Sequence, residues 1–178
     1  MREEYGKDPA GGELADIARS GAREWERDMS AWESDAEMLR LRQRRLVNVL
    51  WEAMQRGDQI TVTTGDITFT GRLAAARHDL ALLDTPDRRV ALNIGALSSI
   101  AFAPGGDGVT GERTYGSFQA YLGMLEVEGH RCRFIGEGFD VRGTVTVVAD
   151  DHVLVDAEGG PGRWALTTRD VAAVIRRL

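Results

Sequence analysis

Cysteine and lysine are nearly missing from these 178 residues. Cys132 is the only cysteine, which excludes an intramolecular disulfide and any cysteine-built zinc cage, and fits a reducing compartment. Of the 22 basic side chains only Lys7 is lysine, a bias that a GC-rich genome explains before any chemistry does. Long apolar runs are missing as well. No stretch approaches the ~18 residues of a membrane span, and the start, Met1 to Ala10, is charged, so the chain reads as cytoplasmic with no membrane partner. An excess of positive charge is the last absence. Asp and Glu total 28 and the net charge is -6, which disfavours a DNA-coating role and argues against RNA or DNA as the main partner. What remains, 43% hydrophobic and 28% charged, is the composition of an ordinary soluble domain. The length allows one domain or two small ones, and domains of about 60 residues bury so little surface that two would lean on each other.

Residues 1–12 carry Pro9, end in Ala10-Gly11-Gly12 and show no apolar period, which predicts a disordered lead. From there Leu14, Ile17, Ala18, Gly21, Trp25, Met29 and Trp32 recur at steps of three and four, one face of a helix. Trp25, Met29 and Trp32 are candidate partner contacts, since aromatic stripes mark interfaces, although cover within the chain or by a second copy is the preferred reading. Ser34 and Glu37 form a capping-box pattern that opens a second stretch through Leu39, Leu46, Leu50 and Met54 to Gly57 as C-cap. The N-terminal helices thus occupy 13–56, as one helix or a hairpin. Their first half is acidic. Their second half carries Arg40, Arg42, Arg44 and Arg45, a candidate nucleic-acid contact. The preferred alternative is a solvated helix face paired with the preceding acids.

After Gly57 the period changes to two. Ile60 and Val62, then Ile67, Phe69, Gly71 and Leu73, then Leu80 and Leu82, then Val90 and Leu92, then Leu97 to Phe102 predict five short strands over 57–103. Residues 104–113, opening with Pro104-Gly105-Gly106, read as a linker. A helix and a second strand set follow over 114–178. A shift of 72 residues aligns Gly57 with Gly129, Ile60 with Cys132, Val62 with Phe134, Phe69 with Val141 and Gly71 with Gly143. The shift becomes 74 past the turn 157–162, pairing Leu92 with Leu166 and Ile100 with Val174. Phe118, Tyr121, Leu122 and Leu125 take the places of Leu46, Val49, Leu50 and Ala53. Such self-similarity predicts two copies of one unit, helix plus five strands. Gly71 and Gly143, inside the long second strand of each copy, predict a sharp bend where the sheet curls into a barrel. The expected class is α+β, mainly β, with 57–102 and 129–176 as two similar barrels. One continuous sheet would count against that.

Helix, five strands and a glycine bending the second strand resemble the Sm-like (LSm) barrel, and residues 57–73 look like its first signature. That resemblance implies a tandem Sm-like protein. In the family RNA is held by polar residues near the third strand and an Arg-Gly pair before the fifth. His78-Asp79-Leu80 has the Asp without the downstream Asn, Asn93-Ile94-Gly95 the Gly without the Arg, and Thr168-Arg169-Asp170 the Arg without the Gly, so no RNA site carries over. The layout is also similar to small actinobacterial proteins sometimes labelled Fis-type transcriptional regulators. Fis proteins carry a helix-turn-helix, and nothing in this strand pattern is one.

Other candidates have plainer explanations. Cys132 takes the slot of Ile60, which makes it a core residue rather than a nucleophile for His130. His152 with Asp150 and Asp151 reads as a polar turn, not a metal site. Gly136-Glu137-Gly138 is a hairpin turn, because no helix follows as a dinucleotide fingerprint requires. Trp164 reads as core, and Trp51 as either packing or partner contact. No catalytic, metal or cofactor residue is assigned. The expected function is a non-enzymatic interaction or scaffold module that self-associates or binds a protein partner through barrel edges, with a nucleic-acid-binding regulator as the alternative.

Overall fold

The computed structural model describes Trp25 and residues 29–30, 32–35, 37–105, 115–160 and 162–177. The predicted lead, most of the first helical stripe and most of the linker lie outside the described residues. Positions 32–35 and 37–43 are helical. Ser34 therefore sits inside a helix and does not start one. A capping side chain needs non-helical backbone at its own position, and the helix already runs through residues 32 and 33. The break comes instead at Arg44 and Arg45, the latter with extended backbone at φ -75°. The chain divides there into two units, residues 1–44 and residues 45–178.

The second unit opens with helix α1 (Leu46–Arg56), which buries Leu50, Ala53 and Met54 against the long strand β2. Gly57 ends it in the left-handed conformation, φ 71°, with the Gly57 N–H donating to Met54 O at 3.0 Å and Asp58 N–H to Ala53 O at 2.9 Å. Only a residue without a Cβ takes that backbone freely. Strands β1 (Gln59–Thr64), β2 (Ile67–Arg77), β3 (Leu80–Asp84), β4 (Arg88–Asn93) and β5 (Ser99–Ala103) follow. Helix α2 (Phe118–Glu128) comes next, then β6 (Arg131–Gly136), β7 (Phe139–Val148), β8 (His152–Ala157), β9 (Arg163–Thr167) and β10 (Val171–Arg177). The class is α+β, mainly β.

Two separate barrels are not what forms. The strands make one continuous ten-stranded sheet in the order β5-β1-β2-β3-β4-β10-β6-β7-β8-β9, which is not closed. The physical reason lies in β4 and β10. Each has a row of backbone donors and acceptors that its own five-strand group leaves unpaired, and they satisfy each other in antiparallel register, Leu92 opposite Ala173, Ala91 opposite Val174 and Val90 opposite Ile175. Within each group the pairings correspond at the offsets seen in the sequence. Ile60 lies opposite Gly71 and Cys132 opposite Gly143; Leu82 lies opposite Ala91 and Leu154 opposite Ala165. Even the irregularity in β2 between Leu73 and Ala75 has its counterpart in β7 between Val145 and Val147.

The glycines sit where the long strand changes partner. Arg72 pairs with both Gln59 of β1 and Asp84 of β3, and Thr144 with both Arg131 of β6 and Asp156 of β8. A Cβ on Gly71 would lie far inside contact distance of the Asp84 carbonyl oxygen, and one on Gly143 would meet the Asp156 carbonyl oxygen in the same way. The requirement is room for backbone, not a left-handed φ. Two apolar clusters lie on opposite faces of the central strands. Leu80, Leu82 and Ala91 join Phe118, Tyr121, Leu122 and Phe134 in one; Ala81, Leu83, Val90 and Leu92 join Leu50, Ile60, Ala173 and Ile175 in the other. Strands covered on both faces read as continuous apolar runs, as Leu80–Leu83 and Val171–Ile175 do. Gly71→Val and Gly143→Val are each expected to cost about 1–3 kcal/mol, because the neighbouring strand must move away from the new side chain. Thermal unfolding of the two variants checks this, and unchanged midpoints would contradict the close approach.

Candidate interaction surface

Among the described residues the sheet has two free edges, β5 and β9, each hydrogen-bonded to a single neighbour. Both are exposed along most of their length and both carry a large apolar side chain, Phe102 at 40% and Trp164 at 38% exposure. The core position expected for Trp164 is thus corrected. Its strand ends the sheet, so no further strand covers it.

The two edges stand in a definite relation to the seam. At the offset of 74, β9 is the counterpart of β4 and β10 the counterpart of β5. Ion pairs correspond too: Arg89 Nε donates to Asp84 Oδ1 at 2.7 Å, and Arg163 Nε to Asp156 Oδ1 at 2.9 Å. The free edges therefore present the same two kinds of strand that already pair inside the molecule.

Positions that resemble an RNA site do structural work instead. Asp79 Oδ1 accepts from the Phe118 N–H at 2.9 Å, placing a carboxylate of the β2–β3 turn at the start of α2. Ser117 caps the same helix by accepting from the Ala120 N–H at 3.1 Å. The Asn93 side chain accepts from the Gly95 N–H at 3.2 Å and donates to Thr168 O at 3.3 Å, tying the turn after β4 to the turn before β10. His78, in the turn beside Asp79, takes a left-handed φ of 51°.

Arg40, Arg42, Arg44 and Arg45 are all exposed. Trp25 and Trp32 are 69% and 77% exposed in the single chain, and Met29 is exposed as well. Trp51 is half exposed on α1.

Cys132 is buried in the core, and burial pushes its thiol up to about 11, so it is not ionised at neutral pH. His130 faces Glu128 at 2.8 Å. His152 Nδ1 meets Asp151 at 2.7 Å, which holds the Asp151 carboxyl below its usual range, and no cluster of metal-ligating side chains exists among the described residues. Glu137 and Gly138 form the β6–β7 turn, Gly138 at φ 79°. No helix among the described residues is long and apolar enough to cross a membrane. What the sequence reading missed is a group of arginines near the seam, Arg88, Arg131, Arg133 and Arg142. Their signal was available, since Gln59, Thr61 and Thr70 stand at the positions matching the last three.

No protein-family model matches the chain, and no curated protein matches it.

Tyr121 packs edge-on to Tyr115 with ring centres 5.6 Å apart, and its hydroxyl is buried with no hydrogen-bond partner. Burial, reinforced by the nearby Cys132, pushes that hydroxyl up to about 12. Both groups are raised relative to the unfolded chain, so their contribution to stability is intact below about pH 9 and is lost as pH climbs toward their folded values. Tyr121→Phe is expected to hold or raise the unfolding free energy at pH 7, by up to about 1 kcal/mol, since it removes an unsatisfied hydroxyl. It should also flatten the loss of stability between about pH 10 and 12, the window in which the Tyr121 hydroxyl ionises in the unfolded chain before the folded one. Unfolding curves across that range check both.

Proposed function

We propose that this protein is a non-enzymatic interaction module, built from a duplicated Sm-like unit, that self-associates head to tail through the free edges of its sheet. The observation that carries this reading is the β4–β10 seam. An edge strand of one five-strand group already pairs with an edge strand of the other, and the remaining two edges, β9 and β5, are the counterparts of that pair. Exposed edge strands are templates for pairing, and these lack the lysines and prolines with which proteins usually blunt such edges. A contact between two different edges is heterologous. It closes into a ring if the rotation per chain allows and otherwise propagates. The exposed Trp25, Met29 and Trp32 supply a second contact surface.

The seam dictates the register. Carrying the β4–β10 pairs across by 74 residues places Leu166 opposite Ser99, Ala165 opposite Ile100, Trp164 opposite Ala101 and Arg163 opposite Phe102 of the next chain. Mass in solution should rise with concentration, and Trp164→Lys should lower it without changing the thermal midpoint of the monomer. A chain carrying Ala101→Cys mixed with one carrying Trp164→Cys should cross-link on oxidation, more readily than the pair Ala101→Cys and Thr167→Cys. A wild-type chain that stays monomeric up to millimolar concentration would overturn the proposal.

A second reading, nucleic-acid binding, draws on a concavity of about 810 Å3 lined by Arg45, Trp51, Arg77 and His78 among others. Guanidinium groups beside an aromatic face suit a single strand, whose phosphates and unstacked bases they contact. The net charge of -6 opposes it. This reading expects gel retardation of single-stranded RNA at low salt, weakening steeply as salt rises and lost in Arg45→Gln/Trp51→Ala. No retardation at low salt would end it.

A further inference from the structure

A cleft of about 370 Å3 opens beside the seam. Its walls carry Arg88, Arg131, Arg133 and Arg142 against two carboxylates, Asp87 and Glu158, in a chain that is acidic as a whole. The sheet does not require these arginines. In the first five-strand group the positions matching Arg131, Arg133 and Arg142 hold Gln59, Thr61 and Thr70 in the same strand pairing, with the two threonine hydroxyls 3.0 Å apart. The fourth arginine comes from the other group. Arg88 opens β4, and its counterpart at the offset of 74 is Gly162. Among the described residues the first group therefore has no counterpart of this set of arginines, which comes together where the two groups join.

The arginines are held in place by weak partners. Arg131 bonds Glu158, Arg133 Nε donates to Asp140 at 2.7 Å, and Arg88 Nη2 donates to Asp87 at 2.7 Å. Exposed pairs of this kind contribute little to stability and exchange readily for a stronger anion. Arg142 is exposed and makes no ion pair among the described residues. Cys132 and Ile175 form the apolar part of the lining.

We propose that this cleft binds a compact, multiply charged phosphate chain, a di- or triphosphate. Guanidinium forks match phosphate oxygens two at a time, and several converging on a small volume favour high charge density over a lone carboxylate. The volume is that of a small-molecule site. The inference concerns the internal seam and holds whether or not the free edges pair between chains.

Calorimetric titration of the full chain with inorganic triphosphate at low ionic strength tests it. Saturable binding of one triphosphate per chain is expected, weakened roughly tenfold or more in Arg131→Gln/Arg142→Gln and in Arg133→Gln. Arg169→Gln, which does not line the cleft, should bind as the wild type does. Tighter binding of a nucleoside triphosphate would identify a nucleotide as the source of the phosphates; equal binding would identify a bare phosphate chain. Thermal midpoints of the variants should match the wild type, since the substituted side chains lie at the surface. Absence of saturable binding, or equal affinity in wild type and Arg131→Gln/Arg142→Gln, would overturn the proposal. So would RNA retardation that these variants abolish in a protein that ignores triphosphate.

Discussion

The pairing of β4 with β10 is the contact on which the rest of the second unit depends. A strand at the end of a five-strand group leaves a row of N–H and C=O groups with nowhere to go but water or another strand. Joining the two groups edge to edge satisfies both rows and places β3, β4, β10 and β6 in the middle of a ten-stranded sheet. Those strands then have an apolar cluster on each face, so each cluster draws side chains from both groups. Ile135 and Ala173 of the second group pack into the cluster dominated by the first, and Leu80 and Leu82 of the first pack into that of the second. Separating the groups would open two cores at once.

Polar side chains near the seam follow from the same constraint. The Asp79 carboxylate reaches the N-terminus of α2 and Asn93 reaches the backbone at Thr168, so two turns of the first group anchor a helix and a turn of the second. Both side chains hydrogen-bond across the junction, Asp79 to the Phe118 N–H and Asn93 to the Thr168 carbonyl. Charge is arranged likewise. Three arginines of the strands meet an acid on the neighbouring strand, Arg89 with Asp84, Arg133 with Asp140 and Arg163 with Asp156. One cleft at the junction gathers four arginines against two carboxylates.

Much of this was legible in the chain. Alternation located the five strands of the first group and the offsets of 72 and 74 those of the second, and Gly57 and Gly129 marked the helix ends because only glycine takes the left-handed cap cheaply. Gly71 and Gly143 announced a special place in the long strand, where the structure puts a neighbouring carbonyl oxygen. What was not legible has physical reasons of its own. Ser34 has the pattern of a cap but lies in a helix already under way. Trp164 has the composition of a core residue but stands on a free edge. The arginines of the cleft are scattered over 54 positions of sequence, from Arg88 to Arg142, and only folding gathers them.

By itself the sequence determined the period of each segment, the turns between them and the recurrence of one pattern at offsets of 72 and 74, since these depend on residues near one another along the chain. Tertiary structure decided whether the strands close or stay open. The apolar run Val171–Ile175 suits the inside of a barrel and the middle of a sheet equally well, because both cover it on two faces. Which strand lies beside it depends on backbone hydrogen bonds to a segment some 80 residues away, and backbone groups are the same in every residue. Side-chain pattern could name the strands. Only the fold could say that β10 belongs beside β4 and that β5 and β9 are left without a partner.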